Sequence, residues 1–139
     1  MKFILGEKIG MSQVFNGAGN VIPVTLIKAV PNPILQIKTK EKDGYEAVQV
    51  GAGERKLKNI KKPQRGHFKD IGSLRYVREF RTGELGDTAR GQKIEVAQFQ
   101  EGDAVKVSGV SKAKGFQGVV KRHGFHGAPK THGTKHAHR

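Results

Sequence analysis

Asp103 is the last acidic residue of the chain. The 36 residues after it hold eight lysines and arginines and no carboxylate, a net charge of +8. Such a segment has no counter-charge of its own. No long apolar stretch follows Val120, so burial cannot offset the entropy of ordering it. It is expected to order on a polyanionic partner rather than to fold as an independent domain.

The rest of the chain is less extreme. Residues 1–103 carry 18 basic and 12 acidic side chains. A total of 139 residues is a prior for one domain, and the overall charge of +14 speaks to partners rather than to fold. Nucleic acid is the first expectation, ahead of a membrane surface. Glycine, at 19 residues, is about twice its usual share of roughly 7%, so the core is expected to be small. With no cysteine, a disulfide framework, a thiolate zinc site and a cysteine nucleophile are excluded. No apolar run reaches the roughly 18 residues of a membrane-spanning helix. The opening Met1-Lys2-Phe3-Ile4-Leu5-Gly6-Glu7-Lys8 does not read as a signal peptide. The expected setting is cytoplasmic.

Residues 1–110 read as a mainly β body. Met11–Phe15 and Val21–Lys28 flank Asn16-Gly17-Ala18-Gly19-Asn20, a hairpin signal. Ile34–Lys38 alternates, Lys42-Asp43-Gly44 marks a turn, and Tyr45–Val50 reads as a further strand. Leu74–Arg81 sets Leu74, Tyr76 and Phe80 on one side. Ala104–Ser108 alternates with Val105 and Val107 inward. Many short strands with glycine turns indicate a small barrel or sandwich. Helix is minor: Pro63 opens a short one through Asp70, and one turn is expected near Val96–Gln100. The basic loop over 55–69 holds Arg55, Lys56, Lys58, Lys61, Lys62, Arg65 and Lys69 with no acid between Arg55 and Lys69, which favours an RNA or DNA contact over a plain solvated loop.

Residues 111–139 form a glycine-, histidine- and lysine-rich arm. Lys112, Lys114, Lys121, Arg122, Lys130, Lys135 and Arg139 supply counter-charge for phosphates. Gly115 and Gly118 permit close backbone approach. Phe116 and Phe125 offer faces for base stacking. His123, His126, His132, His136 and His138 are expected to hydrogen-bond phosphates or base edges. A metal site is not expected, because the arm supplies no Cys, Asp or Glu and its lysines oppose a divalent cation. Gly115-Phe116-Gln117-Gly118 fits the GXXG pattern of KH domains, but the flanking helices that such domains need are missing. No catalytic residue is nominated: there is no G-x-S-x-G elbow and no Walker A motif, and Gly51-Ala52-Gly53 lacks the third glycine of a dinucleotide site. No cofactor and no small-molecule substrate are expected.

Several blocks in order resemble the bacterial form of large-subunit ribosomal protein three. They are Gly6-x-Lys8-x-Gly10-Met11-Ser12-x-x-Phe15, Lys62-Pro63 with Gly66-His67-Phe68, Gly91-Gln92, Phe99-x-x-Gly102-Asp103 and Val105-x-Val107-x-Gly109. Most diagnostic is Ser111-Lys112-x-Lys114-Gly115-Phe116-x-Gly118 with Lys121-Arg122, followed by His123-Gly124-Phe125, Pro129, His132-Gly133-Thr134 and His138-Arg139. The resemblance implies an elongation-factor-like β-barrel, incomplete at its C-terminal end, and a long basic extension threading into ribosomal RNA. It implies an early assembly protein whose extension points towards the peptidyl-transferase centre, beside large-subunit proteins fourteen and nineteen. Ala113 stands where the family usually has glycine, and Lys106 where it has Asp or Asn. The chain reads as the N-terminal two-thirds of such a protein, a fragment with an unpaired barrel edge. The readings set against this are a free-standing nucleoid or mRNA-binding protein and a histidine-rich metal-binding protein.

Overall fold

The computed structural model describes residues 2–83, 85–86 and 88–133. The chain divides into two compact units, Met1–Asp103 and Ala104–Arg139.

In the first unit, β1 (Glu7–Phe15) and β2 (Val21–Lys28) make a two-stranded antiparallel sheet. Asn16 builds the turn between them. Its Oδ1 accepts from the backbone N–H of Ala18 at 3.1 Å and of Asn20 at 2.8 Å, and Gly19 takes φ +77°. An asparagine side chain here does the work of a backbone turn. Ile9, Met11, Phe15, Val21, Leu26 and Ile27 remain exposed on this pair. Neither outer edge carries another strand among the described residues.

The second sheet has the order β5-β4-β3-β6, all antiparallel, from β3 (Asn32–Lys38), β4 (Ala47–Glu54), β5 (Leu74–Arg81) and β6 (Lys93–Ile94). Between β3 and β4 lies one helical turn, α1 (Lys40–Asp43), closed by Gly44 at φ +79°. Both sheets are open. The architecture is mainly β, as expected, and among the described residues no barrel closes.

Two apolar clusters hold the four-stranded sheet. Ile34, Val48 and Val50 form one, with Phe3, Leu5, Ile37, Phe80, Leu85 and Ile94 packed around them. Phe3 stacks on Phe80 with ring centroids 4.3 Å apart. Leu35, Ile60 and Phe68 form the other, with Ile71, Leu74 and Val77. The β3–β4 register shifts between Ile34 and Gln36. The bulge brings Ile34 and Ile37 into the same cluster and sends Leu35 to the other, whereas plain alternation would group Leu35 with Ile37. Leu74 departs from the expected grouping with Phe80: it joins Leu35 and covers Gly51, which has no side chain to occupy the slot. A Cβ at Gly51 would lie 3.2 Å from Leu74 Cγ and 3.4 Å from Leu35 Cδ1.

Among the described residues Asn32 is the buried polar residue of this unit. Its Oδ1 accepts from Leu5 N–H at 2.6 Å, and its Nδ2 donates to the carbonyls of Val30 at 2.9 Å and Leu5 at 3.4 Å. It thereby fastens the N-terminal segment that carries Phe3 and Leu5 into the first cluster. Asp103, the last acid, is also used structurally. Its carboxylate accepts from Gln100 N–H at 2.9 Å and from Lys2 Nζ at 2.7 Å, which holds its pKa below the ordinary aspartate value.

Ala104–Ser108 is not a strand. Val105 is 62% and Val107 71% exposed, against the expectation of inward side chains. Alternation alone does not make a strand; it needs an edge to pair with, and no ladder partner for these residues exists among those described. The turn near Val96 is present as a single 3-10 turn, Val96–Gln98. No helix among the described residues is long and apolar enough to cross a membrane.

Candidate nucleic-acid interface

The basic loop of the first unit is mounted on the sheet by α2 (Lys62–Phe68). Pro63 falls in the first turn of this helix, which starts one residue before the expected Pro63 and ends at Phe68 rather than Asp70, yet that turn has no acidic residue and Lys61 and Lys62 sit at the positive end of its dipole. That charge placement opposes the helix, so tertiary contacts must hold it. Phe68 is buried against Leu35 and Ile60. His67 Nε2 lies 2.5 Å from Gln49 Oε1 on β4. Arg90 donates from Nε to Leu35 O at 2.9 Å and from Nη2 to His67 O at 3.0 Å, tying β3 to the C-terminal end of α2.

The sheet under α2 carries a polar network. Lys38 Nζ donates to Tyr45 Oη at 2.7 Å and lies 3.0 Å from Glu79 Oε1; Tyr45 Oη donates to Glu79 Oε2 at 2.8 Å, and Gln49 Nε2 to Glu79 Oε1 at 3.0 Å. The hydrogen bonds from Lys38 and then Tyr45 lower the Glu79 pKa, and those to Tyr45 and Glu79 raise that of Lys38. Because the folded-state pKa of Glu79 is depressed, its contribution is present above the unfolded glutamate value and is lost as the pH falls through the folded one. The pair is partly exposed. Glu79→Gln is therefore expected to lower stability by less than about 1 kcal/mol at neutral pH, with the difference from the parent vanishing in acid. Thermal melts at pH 7 and pH 3 check this.

The nominated loop residues divide into two kinds. Arg55, Lys56, Lys58, Lys61 and Lys62 are exposed, and none forms an ion pair among the described residues. Arg65 is different. It donates from Nε to Ile60 O at 3.0 Å and from Nη2 to Leu57 O at 2.6 Å. It staples the loop and offers only its remaining N–H groups outward.

In the second unit, the nominated residues lie in irregular chain around one short helix, α3 (Val119–His123). Gly115 takes φ +66° and Gly124 φ +68°. Gln117 Nε2 donates to Lys114 O and, at 3.4 Å, to Phe116 O, closing a turn that leaves Phe116 100% exposed. Gly118 is the N-cap, and Gly124 N–H donates to Val120 O at 3.0 Å. Lys121, Arg122 and His123 fall in the last turn of α3, where the helix dipole favours cations. The His123 and Phe125 rings are 5.4 Å apart. His126 and Lys130 follow in irregular chain, and His132 takes φ +58°. Lys135, His136, His138 and Arg139 lie outside the described residues. Two ion pairs occur among the described residues, Lys2–Asp103 and Lys38–Glu79, both in the first unit. Lys112, Lys114, Lys121, Arg122 and Lys130 thus present their charge without a carboxylate. Among the described residues no three histidines or carboxylates converge on a point.

Sequence reasoning passed over Arg75, Arg78 and Arg81 on β5, and Arg90. The available signal was the three-residue spacing of arginines in a strand. It is easily missed when acid-free runs are sought, because Glu79 interrupts it.

A family model described as ribosomal protein L3 matches residues 70–139. The large ribosomal subunit protein uL3 of Lysinibacillus sphaericus strain C3-41 is 50% identical over 118 residues, 84% of this chain and 56% of the relative. Its namesake in Finegoldia magna is 50% identical over 119 residues, 84% of this chain and 57% of the relative. That of Roseiflexus sp. strain RS-1 is 53% identical over 115 residues, 82% of this chain and 55% of the relative. The chain spans about half the length of these curated relatives.

Proposed function

Because the chain belongs to the ribosomal protein L3 family, we propose that it is a structural constituent of the large ribosomal subunit that binds ribosomal RNA and works in the cytoplasm within the ribosome. Its task is binding, not catalysis. The observation that carries this reading is the acid-free arm, whose cations have no carboxylate partner among the described residues. Lysines and arginines neutralise phosphates, Gly115 and Gly118 let the backbone come close, and Phe116 stands fully exposed for stacking or wedging. The five free cations of the 55–62 loop make a second contact. On this reading the arm extends towards the peptidyl-transferase centre, the protein joins the subunit early in assembly, and large-subunit proteins fourteen and nineteen are its neighbours.

The test is co-sedimentation. At ordinary salt the chain is expected in the large-subunit fraction, with release as the salt concentration rises. Recovery only in the free or nucleoid fraction would favour a free-standing nucleic-acid-binding protein. Retention that ignores salt would remove the electrostatic mechanism.

A further inference from the structure

We propose a third RNA contact, on the open edge of strand β5, in which Arg75, Tyr76 and Arg78 hold an unpaired RNA segment. It rests on the reading that the chain binds RNA, and it extends that reading to a surface outside the arm and the basic loop.

β5 is the edge strand of the four-stranded sheet. Arg75, Tyr76, Arg78 and Arg81 are all exposed along it, and none of the three arginines forms an ion pair among the described residues. Among the described residues the acids nearby include Glu79, which is taken up by Lys38, Tyr45 and Gln49, the exposed Glu54, which stands opposite Leu74 in the ladder, and Glu46 at the Arg81 end, whose carbonyl accepts from Thr82 N–H at 3.3 Å. The strip is continuous with the basic loop, because Arg55 N–H donates to Ser73 O at 2.9 Å. This bond places Arg55 beside the start of β5 although 20 residues separate it from Arg75.

A charged edge strand has a plain structural use, since it discourages pairing with another sheet. That use needs charge alone. It does not need an aromatic ring that is half exposed and lies under a guanidinium, as Tyr76 does, with Arg75 Cζ 5.0 Å from its centroid. Aromatic rings and arginine planes are the surfaces on which proteins stack unpaired RNA bases. Alternation sets Arg78 on the same face as Tyr76, about 7 Å along the strand. One of its five N–H donors goes to Val77 O at 2.8 Å, which leaves four for a phosphate. Arg81 is engaged differently, over the Tyr45 ring at 4.8 Å, and is left out of the site.

The experiment uses the full chain and a fluorescent 20-nucleotide single-stranded RNA of mixed sequence, titrated from 50 to 300 mM salt. Arg75→Ala with Arg78→Ala is expected to weaken binding about 10-fold near physiological salt and to reduce the log–log salt slope by about 1.4, two single-strand phosphates' worth. Arg75→Lys with Arg78→Lys keeps the slope. Tyr76→Ala is expected to weaken binding about 5-fold or more with the slope unchanged, and Tyr76→Phe to restore it. Circular dichroism confirms that each variant is folded. If the double alanine variant binds like the parent while Lys112→Ala with Lys114→Ala loses affinity, the β5 contact is wrong and the RNA reading stands. If the parent shows no salt-dependent binding, the functional reading itself falls. Equal competition by polyglutamate for the same residues would replace RNA with an acidic protein and overturn the proposal.

Discussion

Asn32→Ala is expected to destabilise the first unit by about 2–4 kcal/mol, because it takes the partner from two part-buried backbone groups, at roughly 1 kcal/mol or more each, and leaves a cavity at a fully buried site. The groups are Leu5 N–H and Val30 C=O, whose partners are Asn32 Oδ1 at 2.6 Å and Nδ2 at 2.9 Å. Alanine reaches neither, and the site is fully enclosed. Domains of this size are stable by about 5–15 kcal/mol in total, so the loss is a large fraction. It corresponds to a fall in melting temperature on the order of 10–25 °C. The loss extends to packing, since Asn32 helps hold Phe3 and Leu5 in the first cluster, alongside Gln98 Nε2, which donates to Phe3 O at 2.6 Å.

Asn32→Asp separates hydrogen bonding from shape, because the side chains are nearly isosteric. An ionised carboxylate there faces the carbonyls of Val30 and Leu5 and has no proton to offer them. Burial and these acceptors raise the folded-state pKa of the introduced carboxyl above its unfolded value of about 3.9. The variant is therefore closest to the parent below about pH 4. It falls behind as the pH rises through the raised folded value. The parent has the opposite acid slope from Glu79 and Asp103, whose lowered pKa values cost stability as the pH falls. Melts from pH 3 to pH 8 should show the two curves converging in acid. Parallel curves would mean that Asn32 is not the fastening described.

Much of the local structure was legible because it depends on neighbours in the chain. The residues of β2 and β5 match their expected spans, Val21–Lys28 and Leu74–Arg81, since alternation and flanking turn residues are local signals. Pro63 falls in the first turn of α2 and Gly44 closes α1 for equally local reasons. What escaped depends on distant partners. The spacing of apolar residues does not reveal that Leu35 is bulged into a second cluster. Arg90 meets Leu35 O across 55 residues of sequence, and no motif announces such a bond. Arg65 looked like any other cation of the 55–69 run, yet in the fold its guanidinium, though exposed, is engaged by Ile60 O and Leu57 O. Ala104–Ser108 alternates as a strand should and has no partner edge among the described residues. For the candidate interface, composition identified the cations. Which of them remain free is a property of the folded chain, and Arg65 shows the difference.

The arm should carry the largest functional effect. Lys112→Ala, Lys114→Ala, Lys121→Ala and Arg122→Ala together are expected to weaken binding to large-subunit ribosomal RNA by about two to three orders of magnitude near 0.15 M salt. The estimate assigns one phosphate to each cation at roughly 0.7–0.9 of log–log slope, so the slope should fall by about 3. None of the four has a carboxylate to fall back on among the described residues, so removing them relieves no internal ion pair. The body should be untouched: Asn32, Phe68 and the Glu79 network all lie in Met1–Asp103, while the four substitutions lie in Ala104–Arg139. The melting temperature of the first unit is therefore expected to stay within a degree or two of the parent, which separates lost binding from lost folding. Phe116→Ala makes the complementary prediction, weaker binding with an unchanged slope, because stacking releases no counterions. A quadruple variant that keeps its slope and loses less than about tenfold would move the electrostatic contact away from the arm, to the 55–62 loop and the β5 edge.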